Sequence, residues 1–249
     1  MIAVSGSILP GYFNEPSVLK AERAGLEVCD AVLGHVLKTE PDKKVHSQAL
    51  ALLALVQNRI VPNEVVSRCH NLHGAVMLML DKIGCPSVVI WGSINASAEG
   101  TAGFVLNATL GTGSPDHRPG HSWLLSPYWT VADLALRWQQ GSGVGDDYDA
   151  LQSQIPPLVL SESRESSEPE KGWWRYPVPS LRFSEENYAN ETKYQDVLGW
   201  TKVEVGRLVL RYLPGAVAIP QEPDLNHIDI LVGGMRPGDF FESIQPELP

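Results

Sequence analysis

The clearest periodic pattern in the chain runs from residue 69 to residue 83. Apolar residues recur there at steps of three and four and form one helical stripe, made of Leu72, Val76, Met79, Leu80 and Ile83. Gly84 follows as a helix stop, and Pro62 and Ser67 upstream are typical of the approach to a helix. The pattern therefore predicts a helix that begins close to Cys69.

Two earlier segments have helical spacing and predict an N-terminal helical layer. The first runs from 16 to 38, with Pro16 suited to a first turn, and the second runs from about 45 to 59. The charged residues 39–44 separate them. In the second helix we expect the inward face to hold Leu50, Leu53, Ala54 and Val56.

Short apolar runs follow the third helix and predict strands. Residues 86–92 and 102–109 are two such runs, and the small polar residues 95–100 predict a connection between them. Residues 111–120 are rich in glycine and polar residues and predict a loop, which is either on the substrate side of a site or a plain surface loop.

Residues 121–125 and 129–135 predict a hairpin, because Ser126, Pro127 and Tyr128 between them have turn chemistry. If the turn centres on Pro127, opposed residues have numbers that sum to 254, and His121 faces Asp133. Directly opposed side chains share a sheet face with Cβ atoms about 4.5–5.5 Å apart, so the carboxylate could hold the imidazole. A register shift of one residue would separate the pair.

Beyond residue 138 the pattern weakens. We expect a polar surface loop over 161–171, then an aromatic cluster at 173–179 that packs against the rest of the chain. Residues 185–200 predict a helix, 202–213 a strand or helix, and 228–232 a strand.

Composition narrows the class of protein. A length of 249 residues with 43% hydrophobic content is ample for a core, and the net charge of −10 argues against binding to nucleic acid or to an anionic membrane. Three cysteines without a CxxC pair predict a reducing compartment, so we expect a cytoplasmic location. We expect no signal peptide and no membrane-spanning helix.

Cys69 is the first candidate for chemistry. At a helix start it lies beside unpaired backbone N–H groups and the positive end of the helix dipole, which favour the reactive thiolate and could stabilise an oxyanion. The alternative is an ordinary core cysteine, which is our expectation for Cys29 and Cys85.

A metal site is the second candidate. Cys69, His70, His73 and His121 could supply zinc ligands, but adjacent residues diverge by about 100° on a helix, and the spacing matches no usual zinc pattern. We therefore predict no metal and no cofactor.

The order of these features resembles the core of the transglutaminase-like superfamily of papain-like cysteine enzymes. In that family a turn leads into a strand that ends in glycine, and residues 83–92 match this pattern. The family's His-x-Trp motif is matched by His121-Ser122-Trp123, and its carboxylate on the next strand is matched by Asp133. The resemblance covers residues 62–138 and implies that Cys69 is the nucleophile, His121 the base and Asp133 the orienting acid. Ser87 stands where a basic residue is often found.

Two further residues are candidates for supporting roles. Papain-like enzymes often use a side-chain amide upstream of the nucleophile as a second oxyanion donor, and Asn63 is our choice over Gln57 and Asn58. Trp123 lies two residues beyond His121 and so on the same strand face, where we expect its ring to pack beside the imidazole and line the substrate site.

The predicted fold class is α+β, with N-terminal helices packed on an antiparallel sheet in a papain/transglutaminase-like core. We expect residues 1–249 to form a single domain, with the catalytic core at about 45–138 and residues 139–249 as a family-specific extension of it.

The resemblance implies cysteine-dependent acyl transfer. Our first hypothesis is hydrolysis of an amide or peptide bond through a Cys69 thioester, with a peptide, protein or small amide as substrate. The alternatives are transfer to an amine acceptor, as in a transglutaminase or N-acyltransferase, and a non-catalytic binding module.

Overall fold

The computed structural model describes residues 28–66, 68–98, 104–106, 121–139, 148–162, 197–218 and 224–249. Four predicted segments lie wholly or partly outside these residues: the first part of the helix at 16–38, up to residue 27, the loop at 111–120, the aromatic cluster at 173–179 and most of the helix at 185–200. Within the described ranges, no helix has the length and apolar character needed to cross a membrane.

In the described residues four helices precede the sheet, and all but the short one at 62–65 follow the predicted pattern. They are α1 (Val28–Lys38), α2 (Lys43–Arg59), the short α3 (Pro62–Val65) and α4 (Cys69–Lys82). The Asp42 carboxylate caps α2 by accepting a hydrogen bond from the Val45 amide at 2.9 Å. The inward face of α2 holds Ala49, Leu52, Leu53 and Val56, so the expectation that Ala54 is buried was wrong.

The strands form one antiparallel sheet. They are β1 (Val88–Ala98), β2 (Phe104–Leu106), β3 (His121–Leu125), β4 (Val131–Asp133), β5 (Val159–Ser161), β6 (Thr201–Val205) and β7 (Leu208–Ala218). The order is β5-β4-β3-β1-β7-β6, with β2 paired to β1 off this path. The two edge strands, β5 and β6, lie in contact, so the sheet curves into a near-barrel.

The remaining described elements are α5 (Tyr148–Gln154), α6 (Pro237–Ile244) and three 3-10 turns at Leu136–Trp138, Leu225–His227 and Gln245–Glu247. The α+β class, with helices on an antiparallel sheet, is thus confirmed. Strands β5, β6 and β7, which all come from residues after 138, belong to the same sheet as β1 and β3.

Three strand predictions were wrong. The sequence predicted that a strand ends at Gly92 and that 95–100 is a connection. Strand β1 instead continues to Ala98, because β7 pairs with it along its whole second half. Residues 202–213 span a hairpin that turns at Gly206, whose φ of 61° favours glycine. Residues 228–232 form no regular strand, and Val232 makes only an isolated bridge to Met235.

Helix α4 lies in the core. Ten of its fourteen residues are buried, because it packs on β3 and β1 on one side and on α2 on another. Apolar residues off the predicted stripe, such as Ala75, Met77 and Leu78, are therefore buried as well. A helix that is apolar on most faces is typical of a central element, and this one holds Cys69 at its first turn.

The predicted hairpin register was wrong by two residues. Leu124 pairs with Ala132, so opposed numbers sum to 256 and the turn centres on Tyr128. Its closing hydrogen bond runs from the Ser126 amide to the Trp129 carbonyl at 3.0 Å. Because the side-chain period of a strand is two, an even shift leaves His121 and Asp133 on the same face as diagonal neighbours.

Gly92 is required by close packing within the sheet. It pairs with His121 across β1 and β3, and β1 is irregular between Trp91 and Gly92 where it meets β7. A Cβ atom at this position would meet the Leu213 carbonyl oxygen and come within 2.5 Å of the Trp123 ring. Glycine therefore lets the indole lie directly over the backbone of the central strand.

We expect Gly92→Ala to lower the free energy of unfolding by about 1–3 kcal/mol, because the added methyl group overpacks a rigid site. Urea unfolding followed by tryptophan fluorescence measures the change. The matched control is Gly34→Ala, since a Cβ atom at Gly34 in α1 has nothing within 4 Å. That substitution should stabilise the helix by about 1 kcal/mol, and equal effects of the two changes would contradict the packing argument.

Candidate active site

Cys69 is the first residue of α4, so its own N–H group and those of the next two residues have no intrahelical partner, and the first intrahelical bond runs from the Leu72 amide to the Arg68 carbonyl. The side chain is only 5% exposed. Burial raises the pKa of the thiol, but the His121 imidazole and hydrogen bonding from the side chain and main chain of Ser122 lower it, and the net pKa lies below its ordinary value. The local electrostatics thus favour the thiolate.

The His121 ring lies between Cys69 and Asp133. Its Nε2 hydrogen-bonds Asp133 Oδ2 at 2.8 Å, and both side chains are fully buried. Burial lowers the pKa of the imidazole, whereas the Asp133 charge and hydrogen bond and the Cys69 thiolate raise it, and the result is a pKa of about 10. Nδ1 is buried and has no hydrogen-bond partner of ordinary geometry, which leaves it as the ring atom available to the Cys69 thiol.

The Asp133 carboxylate has four donors. Oδ2 accepts from His121 and from the Tyr212 hydroxyl, the latter at 3.0 Å, and Oδ1 accepts from the Ala135 and Leu136 amides at 2.9 and 3.0 Å. Burial raises the pKa of this carboxyl. The charge and hydrogen bond of His121, together with the other donors, lower the pKa by more than burial raises it, so the pKa lies below its usual value. Asp133 is therefore held ionised in the interior.

Tyr212 is a site residue that the sequence did not reveal. It lies on β7, 79 residues after Asp133, and its hydroxyl donates to the carboxylate. Burial and the Asp133 charge raise the pKa of the phenol well above its ordinary value, so the hydroxyl keeps its proton and remains a donor. No local motif marks such a residue, because only the pairing of β7 with β1 brings it to the site.

Trp123 is buried and packs edge-on against Tyr212, with ring centroids 5.1 Å apart. It thereby supports Tyr212, which holds Asp133. Its expected role in lining the substrate site stays a prediction.

Asn63 lies on α3 and is exposed, and its role as an oxyanion donor also stays a prediction.

His73, considered at first as a zinc ligand, is a second neighbour of Asp133. Its Nε2 accepts a hydrogen bond from the Leu134 amide at 3.1 Å, and its Nδ1 lies 3.2 Å from Ser122 Oγ. Burial, the largest influence, lowers the pKa of the ring to about 4. In the described part of the chain, no three His, Cys, Asp or Glu side chains are arranged to hold a metal ion.

Comparisons of the chain with protein-family models, with curated proteins and with solved structures gave no match.

We expect the free energy of unfolding to fall as the pH is lowered from about 6.5 to about 4. His73 binds a proton near pH 6.5 in the unfolded chain but only near pH 4 in the folded protein, so protonation favours unfolding throughout that window. The shift corresponds to about 3 kcal/mol. Urea unfolding at a series of pH values measures this, and His73→Gln, which cannot titrate, should flatten the curve. An identical pH dependence in parent and variant would contradict the assignment.

Proposed function

We propose that the protein is a cysteine-dependent acyl-transfer enzyme of the transglutaminase-like kind, which hydrolyses an amide or peptide bond. One observation carries this proposal: a buried imidazole is held at 2.8 Å by an ionised carboxylate and interacts through its other side with a thiol of lowered pKa. That is the arrangement by which a cysteine nucleophile is activated.

In the proposed reaction, the Cys69 thiolate attacks the substrate carbonyl carbon and forms a tetrahedral intermediate. In this proposal the free N–H groups at the start of α4 stabilise its oxyanion, which is supported by the position of Cys69 as the first helical residue. Collapse of the intermediate breaks the C–N bond, and the His121 imidazolium gives its Nδ1 proton to the leaving amine. The product of this half-reaction is a Cys69 thioester.

In the second half-reaction, neutral His121 takes a proton from water, which attacks the thioester carbon and releases the carboxylic acid. Asp133 keeps the other proton of the ring on Nε2, so Nδ1 faces the sulfur throughout. The chemistry needs no cofactor. An amine in place of water would make the same site a transglutaminase or N-acyltransferase.

The substrate in this proposal is a peptide, a protein or a small amide, and the expected location is the cytoplasm. The rival hypothesis is a non-catalytic module that keeps the fold for binding. The two differ in what they require of Asp133, because a binding module has no use for a buried carboxylate that four donors keep ionised beside an imidazole.

Selective alkylation separates these hypotheses without a known substrate. We expect iodoacetamide at near-neutral pH to modify Cys69 much faster than Cys85, because burial raises the pKa of Cys85 to about 12. Cys29 should also react more slowly than Cys69. Peptide mapping by mass spectrometry at several time points gives the three rates, and equal rates for all three thiols would favour the binding module.

Turnover of a substrate found by screening peptides, esters and amine acceptors gives the second test. We expect Cys69→Ala and His121→Ala to abolish turnover, and Asp133→Asn to retain a small measurable rate, since an orienting acid contributes less than nucleophile or base. Asp133→Asn should also lower stability, because the carboxylate accepts two main-chain amides. Cys85→Ala, a buried cysteine away from His121, is the control that keeps turnover. Full activity in Cys69→Ala would refute the mechanism.

A further inference from the structure

We propose that His73 is a positioning residue that acts through Ser122 to direct a hydrogen-bond donor at the Cys69 sulfur. The inference deepens the proposed function and rests on it, since it concerns how the same thiolate is stabilised. His73 lies four residues after Cys69 and therefore on the same face of α4, one turn deeper in the core.

The hydrogen bonds of His73 fix its tautomer. The Leu134 amide can only donate, so His73 Nε2 is an acceptor and carries no proton. A neutral imidazole must then carry its proton on Nδ1, which lies 3.2 Å from Ser122 Oγ. His73 therefore donates to the Ser122 hydroxyl oxygen.

This bond leaves the hydroxyl proton of Ser122 free to be donated elsewhere. Ser122 is fully buried and follows His121 directly on β3, and the Cys69 thiolate accepts hydrogen bonds from both its hydroxyl and its main chain. Donation from His73 occupies a lone pair of Oγ and holds the hydroxyl with its proton towards the sulfur. The sequence of donors is thus Leu134 amide, His73 ring, Ser122 hydroxyl and Cys69 thiolate.

Burial keeps His73 neutral, and the charges of His121 and His70 act in the same direction. The titratable groups that act on it are His70 on its own helix, His121 on β3 and Asp133 on β4, and the Cys69 main-chain carbonyl also hydrogen-bonds the ring. Its Nε2 lies 3.6 Å from Asp133 Oδ1, but that oxygen already accepts two main-chain amides and Nε2 has no proton to offer. His121, whose ring centroid lies 6.2 Å away, takes the proton that Asp133 stabilises.

Two substitutions separate the positioning role from a purely structural one. His73→Asn keeps an amide N–H near the position of Nδ1 and so keeps a donor for Ser122. His73→Gln places its amide near the position of Nε2, where its oxygen can accept from Leu134, but loses the donor to Ser122. Ser122→Ala removes the hydroxyl and leaves the main-chain amide. His46→Leu, a histidine of α2 that stacks on Tyr128, is the matched control.

The readout is the pH profile of Cys69 alkylation by iodoacetamide, which reports the thiolate and needs no substrate. We expect the acid limb to move to higher pH in Ser122→Ala and in His73→Gln, so that the rate on that limb falls about tenfold, a change of one pH unit. The double variant should show no further shift, because both changes break one sequence of donors. His73→Asn and His46→Leu should match the parent.

A parent-like profile in His73→Gln, or equal shifts in His73→Gln and His73→Asn, would overturn the proposal and leave His73 as a structural residue. So would a double variant whose shift equals the sum of the single shifts. If His73→Gln does not fold, Ser122→Ala by itself tests the proposal, and a parent-like profile in that variant would overturn the proposal. A failure of the proposed function would be seen in a different experiment. If turnover survived in Cys69→Ala, the proposed mechanism would be wrong, whereas the effect of His73 and Ser122 on the pH profile of Cys69 alkylation would be unchanged.

Discussion

The site depends on one buried negative charge. Asp133 is fully buried, and an isolated carboxylate in such a place would take up a proton rather than stay ionised. It remains ionised because His121, Tyr212 and two main-chain amides all donate to it. The four donors come from three stretches of the fold: β3, β7 and the turn after β4. The central sheet and the turn that ends β4 therefore have to be in place before the imidazole can be held.

That requirement explains how the rest of the structure is arranged around β1. This strand pairs with β3 on one side and β7 on the other, so it sets the distance between His121 and Tyr212. Gly92 lies opposite His121 and makes room for the Trp123 indole, which in turn packs on Tyr212. A glycine on the central strand, an indole and a phenol thus act together to place one hydroxyl on Asp133.

Sequence patterns predicted the parts of the site that depend on local geometry. The start of α4 at Cys69 follows from helical spacing, and the shared face of His121 and Asp133 follows from strand parity, which survived an error of two residues in the register. Tyr212 and the role of His73 could not be predicted this way. Tyr212 reaches Asp133 only through the pairing of β7 with β1, and a histidine on an apolar helix face has the same local signature whether it titrates, binds metal or donates to a neighbour.

Two histidines lie beside Asp133, and the geometry makes them chemically different. His121 presents an Nε2 proton to a carboxylate oxygen, so its cationic form is stabilised and its pKa rises to about 10. His73 presents an Nε2 lone pair to an amide, and burial of its ring disfavours the cation and lowers its pKa to about 4. With Cys69 ionised, the cluster then holds two negative charges and one positive charge. The second negative charge, on the sulfur, is stabilised first by the His121 imidazolium and then by Ser122 and the start of α4. A neutral His73 that donates to Ser122 suits this distribution of charges. A second cation at His73 would compete with His121 for Asp133, and it would deprive the Leu134 amide of its acceptor.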